Sequence, residues 1–130
     1  MITIEILGQP LPWKAPYVGS HGAFSSRTVI GHEIKKMIRS QYSGEIMECD
    51  IDCEMIFYMP IPKSASNTNR LKMISGMIRP SGGGDRTNIS KFYEDLLQGI
   101  VIKNDNKIQS GNVSKYYGEI PRVVINVRKL

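Results

Sequence analysis

MECDIDCEMIFYMP, residues 47–60, alternates without a break: Met47, Cys49, Ile51, Cys53, Met55 and Phe57 fall on one face and mostly acidic side chains on the other. Apolarity with a period of two marks a strand that lays one face on a core. Pro60, which has no amide hydrogen to give a ladder, ends it. A strand of this length needs pairing partners and a covering layer, and the flanking sequence offers both. Residues 28–42 read as a helix, with Val29, Ile30, Ile34, Met37, Ile38 and Tyr42 at helical spacing and Gly31 a weak point near its start. Residues 2–7, ITIEIL, alternate as a strand. Between them GQPLPWKAPYVGSHGAFSS, residues 8–26, carries three prolines and three glycines and reads as a long loop. Loops of that length in small domains are often functional.

Downstream of Pro60, residues 64–75 form a short helix that starts at a serine cap after PIPK and stops at Gly76. Residues 79–86 are an open loop. A further helix spans 88–98, with Thr87 as its N-cap and Gly99 as its stop, and buries Ile89, Tyr93, Leu96, Leu97 and Ile100. A short strand at 100–102 and a turn at 104–106 precede a strand over 107–117; GEIP turns again and RVVINVR ends the chain as a strand. The order β-α-β-α-α-β-β predicts an α+β fold: a single domain, residues 1–130, with a mixed or antiparallel sheet and two to three helices.

Hydrophobic residues make up 41% of the chain and charged ones 22%, a globular balance rather than a disordered one. No window approaches the roughly 18 apolar residues of a membrane span. The start MITIEILGQP has no basic lead and carries Glu5 inside its apolar run, so it does not read as a signal peptide, and a cytoplasmic protein is expected. Cys49 and Cys53 sit four apart on one strand face, too far apart for a disulfide within that strand. His21 and His32 add no zinc-ligand spacing. Buried thiols are the expectation. The net charge is +5, which suits a polyanionic partner. Lys35, Lys36, Arg39, Lys63, Arg70, Lys72, Arg79 and Arg86 all precede one acidic stretch. Basic residues around a few carboxylates are the charge layout of a metal-dependent nuclease, and equally of a plain solvated basic surface.

That acidic stretch begins in GGGDRTNISKFYEDLLQG, residues 82–99, and continues in IKNDNKI, residues 102–108. At 100° per residue, Asn88, Lys91 and Asp95 share one side of the helix, opposite Ile89, Tyr93 and Leu96. Glu94 lies beside that side, below Thr87, and Asp85 stands just before the helix. Asp105 would join them if the following turn folds back. Carboxylates so grouped suit Mg²⁺, which takes one or two of them and keeps several waters. Lys91 would then hold a phosphate oxygen. Plainer uses exist for each residue. Asp85 would favour a helix N-terminus, Lys91 and Asp95 would form a surface pair, and Asp105 would make a turn. The glycine run is not a nucleotide-binding loop, since no Gly-Lys-Ser/Thr ending follows it.

From Asp85 onward, DRTNISKFYEDLLQGIVIKNDNKI resembles the signature of the RusA family of Holliday-junction resolvases, roughly P-D-x-D-N-L-x-K-x-x-x-D-A-L-x-G followed by an acidic pair. Asp85 matches the first aspartate of that pattern, Asn88 its asparagine, Lys91 its lysine and Asp95 the aspartate before A-L; Asp105 matches the second member of the acidic pair. KYYGEIPRVVINV at 115–127 resembles the family's last strand, GQPLPWKAP at 8–16 its N-terminal loop, and PIPKSAS at 60–66 its middle segment. The similarity therefore runs in order along nearly the whole chain. Thr87 stands where the family has its second aspartate, Asn104 replaces the first of the acidic pair, and Lys107 replaces a glutamine.

The resemblance implies a metal-dependent endodeoxyribonuclease that resolves four-way DNA junctions by paired symmetric nicks. It would act as a homodimer in a bacterial or phage-infected cell and be of prophage type. The strand at 47–57 is a candidate for part of the dimer surface. Asp85, Asp105 and Lys91 would be catalytic. Asp85 and Asp105 would hold Mg²⁺, or alternatively Mn²⁺, with Glu94 or Asp95 supplying the third carboxylate. Lys14, Arg79, Arg86, Asn88, Lys91 and Lys115 would meet DNA. Residues 82–84 would let backbone approach the strand, and the loop at 9–26 would contact it through Trp13, Lys14, Tyr17 and His21. Trp13 has the alternative of packing its loop onto the core. Two other readings stay open: a weakened or inactive branched-DNA-binding protein, and a metal nuclease for another branched or single-stranded substrate.

Overall fold

The computed structural model describes residues 1–15, 17–19, 22–24 and 27–130, with the backbone course alone for 17–19 and 22–24. The alternating stretch becomes a strand from Ile51 onward: Ile51, Cys53, Met55, Phe57 and Met59 are buried and every residue between them is half-buried. Among the described residues the elements run β1 (Ile2–Leu7), β2 (Tyr17–Gly19), β3 (Gly22–Phe24), α1 (Thr28–Gln41), β4 (Ile51–Pro60), α2 (Asn67–Ile74), α3 (Arg86–Leu97), β5 (Ile108–Ser110), β6 (Val113–Gly118) and β7 (Arg122–Lys129). One turn of 3-10 helix, Asp105–Lys107, precedes β5.

The sheet is mixed, as an α+β chain of this order predicts. On one side β4 pairs antiparallel with β7, from Ile51 opposite Lys129 to Tyr58 opposite Arg122; β7 in turn takes β1 antiparallel. On its other side β4 pairs in parallel, first with β5 and then with β6. β2 and β3 form a separate two-stranded hairpin inside the stretch read as a loop. Helices α1 and α3 cover the core face. Ile34 and Ile38 descend from α1, and Ile89, Phe92, Tyr93, Leu96 and Leu97 from α3, onto Ile4, Ile6, Met55, Phe57, Val123, Ile125 and Val127. Each such side chain contributes about 1.5–3 kcal/mol by leaving water. Gly31 lets the helices close up: a Cβ there would lie 3.4 Å from Leu96. Tyr93 sits at the centre, 5.9 Å from the ring of Phe57 and 5.1 Å from that of Phe92. Ser66 caps α2, its side chain accepting from the amide of Asn69.

Four expectations are corrected. Thr87 is not the N-cap of the site helix; Asp85 is, so α3 begins at Arg86. Cys49 is exposed and precedes β4, because the chain reaches the sheet only at Ile51; Cys53 alone is buried, and burial pushes its thiol up to about 12. The strand over 107–117 is two strands. Between them Gly111 adopts φ 138° and passes so close to the backbone of Cys53 that any side chain would strike its carbonyl. The short strand at 100–102 reduces to single bridges from Ile102 to Met47 and Gln98. His21 lies outside the described residues.

Candidate active site

The site is built along α3, starting at its N-terminus. Gly83 and Gly84 have φ of 81° and 99°, a region closed to most side chains, and they turn the chain into the helix. The ammonium of Lys115 on β6 donates to the carbonyls of Gly82 and Gly84, which fixes this turn. Asp85 then caps the helix: its Oδ1 accepts from the amide of Asn88 at 2.8 Å and from the hydroxyl of Thr87 at 3.3 Å. Oδ2 of Asp85 takes no hydrogen bond from the described residues.

One turn further, α3 grips the N-terminal loop. The amide of Trp13 donates to the carbonyl of Asn88 at 3.0 Å, and the Asn88 side-chain amide donates back to the Trp13 carbonyl at 3.2 Å. The Leu11 amide donates to the Tyr93 hydroxyl, and Arg27 Nε to the Pro12 carbonyl. Held in this way, the Trp13 ring packs on the edge of the core and lies 3.7 Å from Nζ of Lys91. Trp13 thus packs its loop onto the core and also carries a lysine on its face.

The last turn of α3 gathers negative charge. Residues 103–107 fold back so that the Asp105 amide donates to Oε1 of Gln98, whose Nε2 donates to Oδ1 of Asp95. Burial raises the pKa of Glu94, and the charges of Asp105 and then Asp95 raise it further. Burial and Asp105 likewise raise Asp95, against a lowering by Lys91. The structure therefore brings Glu94, Asp95 and Asp105 within electrostatic reach of one another, with Lys91 beside them. It does not bring Asp85 among them. Ten residues separate Asp85 from Asp95, about 15 Å of helix at 1.5 Å per residue. Among the described residues no three His, Cys, Asp or Glu side chains converge tightly enough to enclose a metal ion. The carboxylates are a charge cluster open to solvent rather than a closed cage.

A family model for the endodeoxyribonuclease RusA matches residues 9–128. The chain belongs to the RusA family. It is also similar to "Uncharacterized protein YqaN" of Bacillus subtilis (strain 168), with 32% identity over 97 residues, covering 72% of this chain and 68% of that one. RusA proteins are DNA endonucleases that act on branched junctions. The mixed five-stranded sheet with three helices is this family's α+β fold. No described helix is long and apolar enough to cross a membrane.

Within this RusA domain the basic residues expected to meet DNA divide into two sets. Lys115 clamps the glycine turn. Arg79 Nε donates to the Lys115 carbonyl while its guanidinium stacks 3.7 Å from the Tyr116 ring, and Arg86 donates to the Val113 carbonyl. These three tie the connection between α2 and α3 to β6. Lys14 is exposed, and Lys91 stands on Trp13 beside the carboxylates. Two groupings escaped the sequence reading. Gln98 links Asp95 to Asp105, and only the fold-back of residues 103–107 reveals it. Thr28, His32 and Lys35 line up on one side of α1 at spacings of four and three, a signal that was present in the sequence.

Proposed function

We propose that this RusA-family protein is a divalent-metal-dependent endodeoxyribonuclease that resolves four-way junctions as a homodimer, one nick per protomer. Two symmetric cuts in a two-fold junction suit two-fold protein symmetry. The observation that carries the metal reading is the meeting of Asp105 with Asp95 and Glu94 beside Lys91. Their donors are hard oxygens; burial first, and then the neighbouring negative charge, raises Glu94 and Asp95, and a cation would offset both. Mg²⁺ commonly binds through one or two carboxylates and keeps waters, which fits an open cluster.

Asp105 and Asp95 would hold the ion, with Glu94 adjacent, and the ion would supply Lewis-acid chemistry at a phosphodiester. Lys91, projecting from the same side of α3, would hold a non-bridging phosphate oxygen. That ammonium lies over the Trp13 ring and lowers the pKa of Asp95. Asp85 caps the helix from which Lys91, Glu94 and Asp95 project, and among the described residues its Oδ2 takes no hydrogen bond. Thr87 brings a hydroxyl, already donated to Asp85, where the family pattern has a carboxylate.

The deciding experiment compares a synthetic four-way junction with linear duplex of the same sequence, with and without Mg²⁺. Paired nicks in the junction alone, only with Mg²⁺, are expected. Junction binding should weaken steeply with salt: with about six phosphates neutralised per dimer, the log–log slope is near −5. A slope near zero would remove nucleic acid as the partner.

A further inference from the structure

A cleft of about 250 Å³ opens between the N-terminal loop, α1 and α3, beside the carboxylate cluster. Trp13, Phe92 and Leu96 give it an apolar wall, while Lys14, Arg27, His32 and Lys35 bring basic side chains; among the described residues Asp95 is its one acid. Among the described residues no carboxylate forms an ion pair with Lys14, His32 or Lys35. The positive end of α1 adds to the field, since the helix starts at Thr28 in the cleft wall and has no acidic residue in its first turn. Lys91, which covers the Trp13 ring, does not line the cleft, so the indole stands between the two.

We propose that this cleft seats one unpaired nucleotide of the strand that runs past Asp95. Its base would lie against Trp13, over the rim formed by Phe92 and Leu96, and its phosphate among Lys14, His32 and Lys35. The assignment deepens the junction-nuclease reading and rests on it for the strand's identity. Three observations favour a nucleotide over other occupants. An aromatic ring beside lysines and a histidine that have no carboxylate partner among the described residues is the arrangement that binds single-stranded nucleic acid, where the backbone tracks positive charge and bases stack on rings. The volume falls below the roughly 300–1,000 Å³ of drug-sized ligand sites, so it takes a single nucleotide and excludes duplex. The cleft also shares Asp95 with the proposed catalytic cluster, so a strand crossing one meets the other. Bases at a branch point are the ones in a junction that can leave their stack.

Trp13 is the protein's single tryptophan, so its emission reports on this cleft directly. The probe is a thymidylate octamer, titrated without divalent metal so that no cleavage is needed. A saturable change in Trp13 emission is expected. Lys35→Glu should weaken octamer binding at least tenfold and Lys35→Gln about threefold. Arg39→Glu, on the same helix but outside the cleft, should change it less than threefold. Circular dichroism on each variant verifies the fold. An octamer that binds without moving Trp13 emission would overturn the cleft as its seat. So would equal losses in Lys35→Glu and Arg39→Glu, or an abasic octamer bound as tightly as thymidylate. Junction cleavage is scored separately: its absence would overturn the nuclease reading while leaving an octamer response dependent on Lys35 intact.

Discussion

The ammonium of Lys115 donates to two carbonyls of the glycine turn, 2.8 Å to Gly82 and 2.7 Å to Gly84. A cation expected on sequence grounds to meet phosphate thus holds together the loop that launches the site helix. Lys115→Met removes both bonds. Hydrogen bonds from a charged donor contribute about 1.5–3 kcal/mol each when buried; at this half-buried position the expected loss in denaturant unfolding is about 1–2 kcal/mol. Proteolysis within residues 79–85 should accelerate. The salt slope of junction binding should stay unchanged, because the charge is committed internally. A slope shallower by about one would assign Lys115 to a phosphate instead.

Asp85 has two separable jobs, as helix cap and as a proposed ligand. Asparagine caps as well as aspartate, whereas alanine costs about 1 kcal/mol. Asp85→Asn should therefore melt with the parent, and Asp85→Ala about 3 °C lower. Loss of cleavage in Asp85→Asn at unchanged melting temperature would show that the carboxylate itself matters to the reaction. Full activity in Asp85→Asn with loss only in Asp85→Ala would confine the residue to the cap.

The fold was legible where one physical signal dominates. The unbroken alternation from 47 to 60 and the apolar faces of α1 and α3 announced β4 and its cover. What escaped depends on partners distant in sequence. Nothing local shows that β6 pairs in parallel with β4 while β7 takes β4's other edge, since a strand, a turn and a strand read as neighbours. The break at Gly111 exists because the chain must pass the backbone of Cys53. The choice between Asp85 and Thr87 as cap could not be made from residue type, as both are good caps; the extended backbone of Asp85 and the bond its side chain takes from the Asn88 amide decide it. Lys91, Asp95 and Glu94 were placed together by helical geometry, but their meeting with Asp105 needed the fold-back that Gln98 secures.

After burial, the charge of Asp105 is what raises both Glu94 and Asp95. Asp105→Asn should leave junction binding intact or tighten it, since it removes repulsion toward phosphate. Cleavage should fall below detection. Gel-shift and cleavage measured on one preparation decide it. Parallel loss of both would make Asp105 a turn former, with Asn104 as its cap partner.

Glu94 gives a pH-dependent expectation. Its folded pKa lies above the ordinary 4.5, so the native state holds its proton more firmly than the unfolded chain. Its contribution to stability is thus largest at acid pH and declines as pH rises from about 4.5 through the folded value. Glu94→Gln removes the decline and should melt above the metal-free parent at pH 7, with the gap closing toward about pH 4. Added Mg²⁺ should raise the parent's melting temperature and narrow that gap. If Mg²⁺ raises both proteins equally, the ion does not bind at Glu94.

Thr87 is the sharpest departure from the family pattern, and its surroundings say what restoring the carboxylate would do. Its hydroxyl donates to Asp85 Oδ1 and its carbonyl accepts from Ser90 Oγ, so the hydroxyl is engaged at the capped end of α3, two turns before Glu94 on the same side of the helix. An aspartate in the first turn is favoured by the helix dipole, and loss of the weak 3.3 Å bond to Asp85 costs little. Repulsion from the adjacent Asp85 carboxylate opposes this, so Thr87→Asp should fold somewhat less stably than the parent without divalent metal, regain stability with Mg²⁺, and add an oxygen ligand next to Asp85 Oδ2. If the site works through Asp105, Asp95 and Glu94 alone, the Mg²⁺ concentration for half-maximal cleavage should stay within about twofold of the parent's. If Asp85 also meets an ion, Thr87→Asp should lower that concentration several-fold, and Asp85→Asn should cancel the gain in the double variant. A parent without activity that Thr87→Asp switches on would mean that this chain binds branched DNA and lost cleavage at this one position.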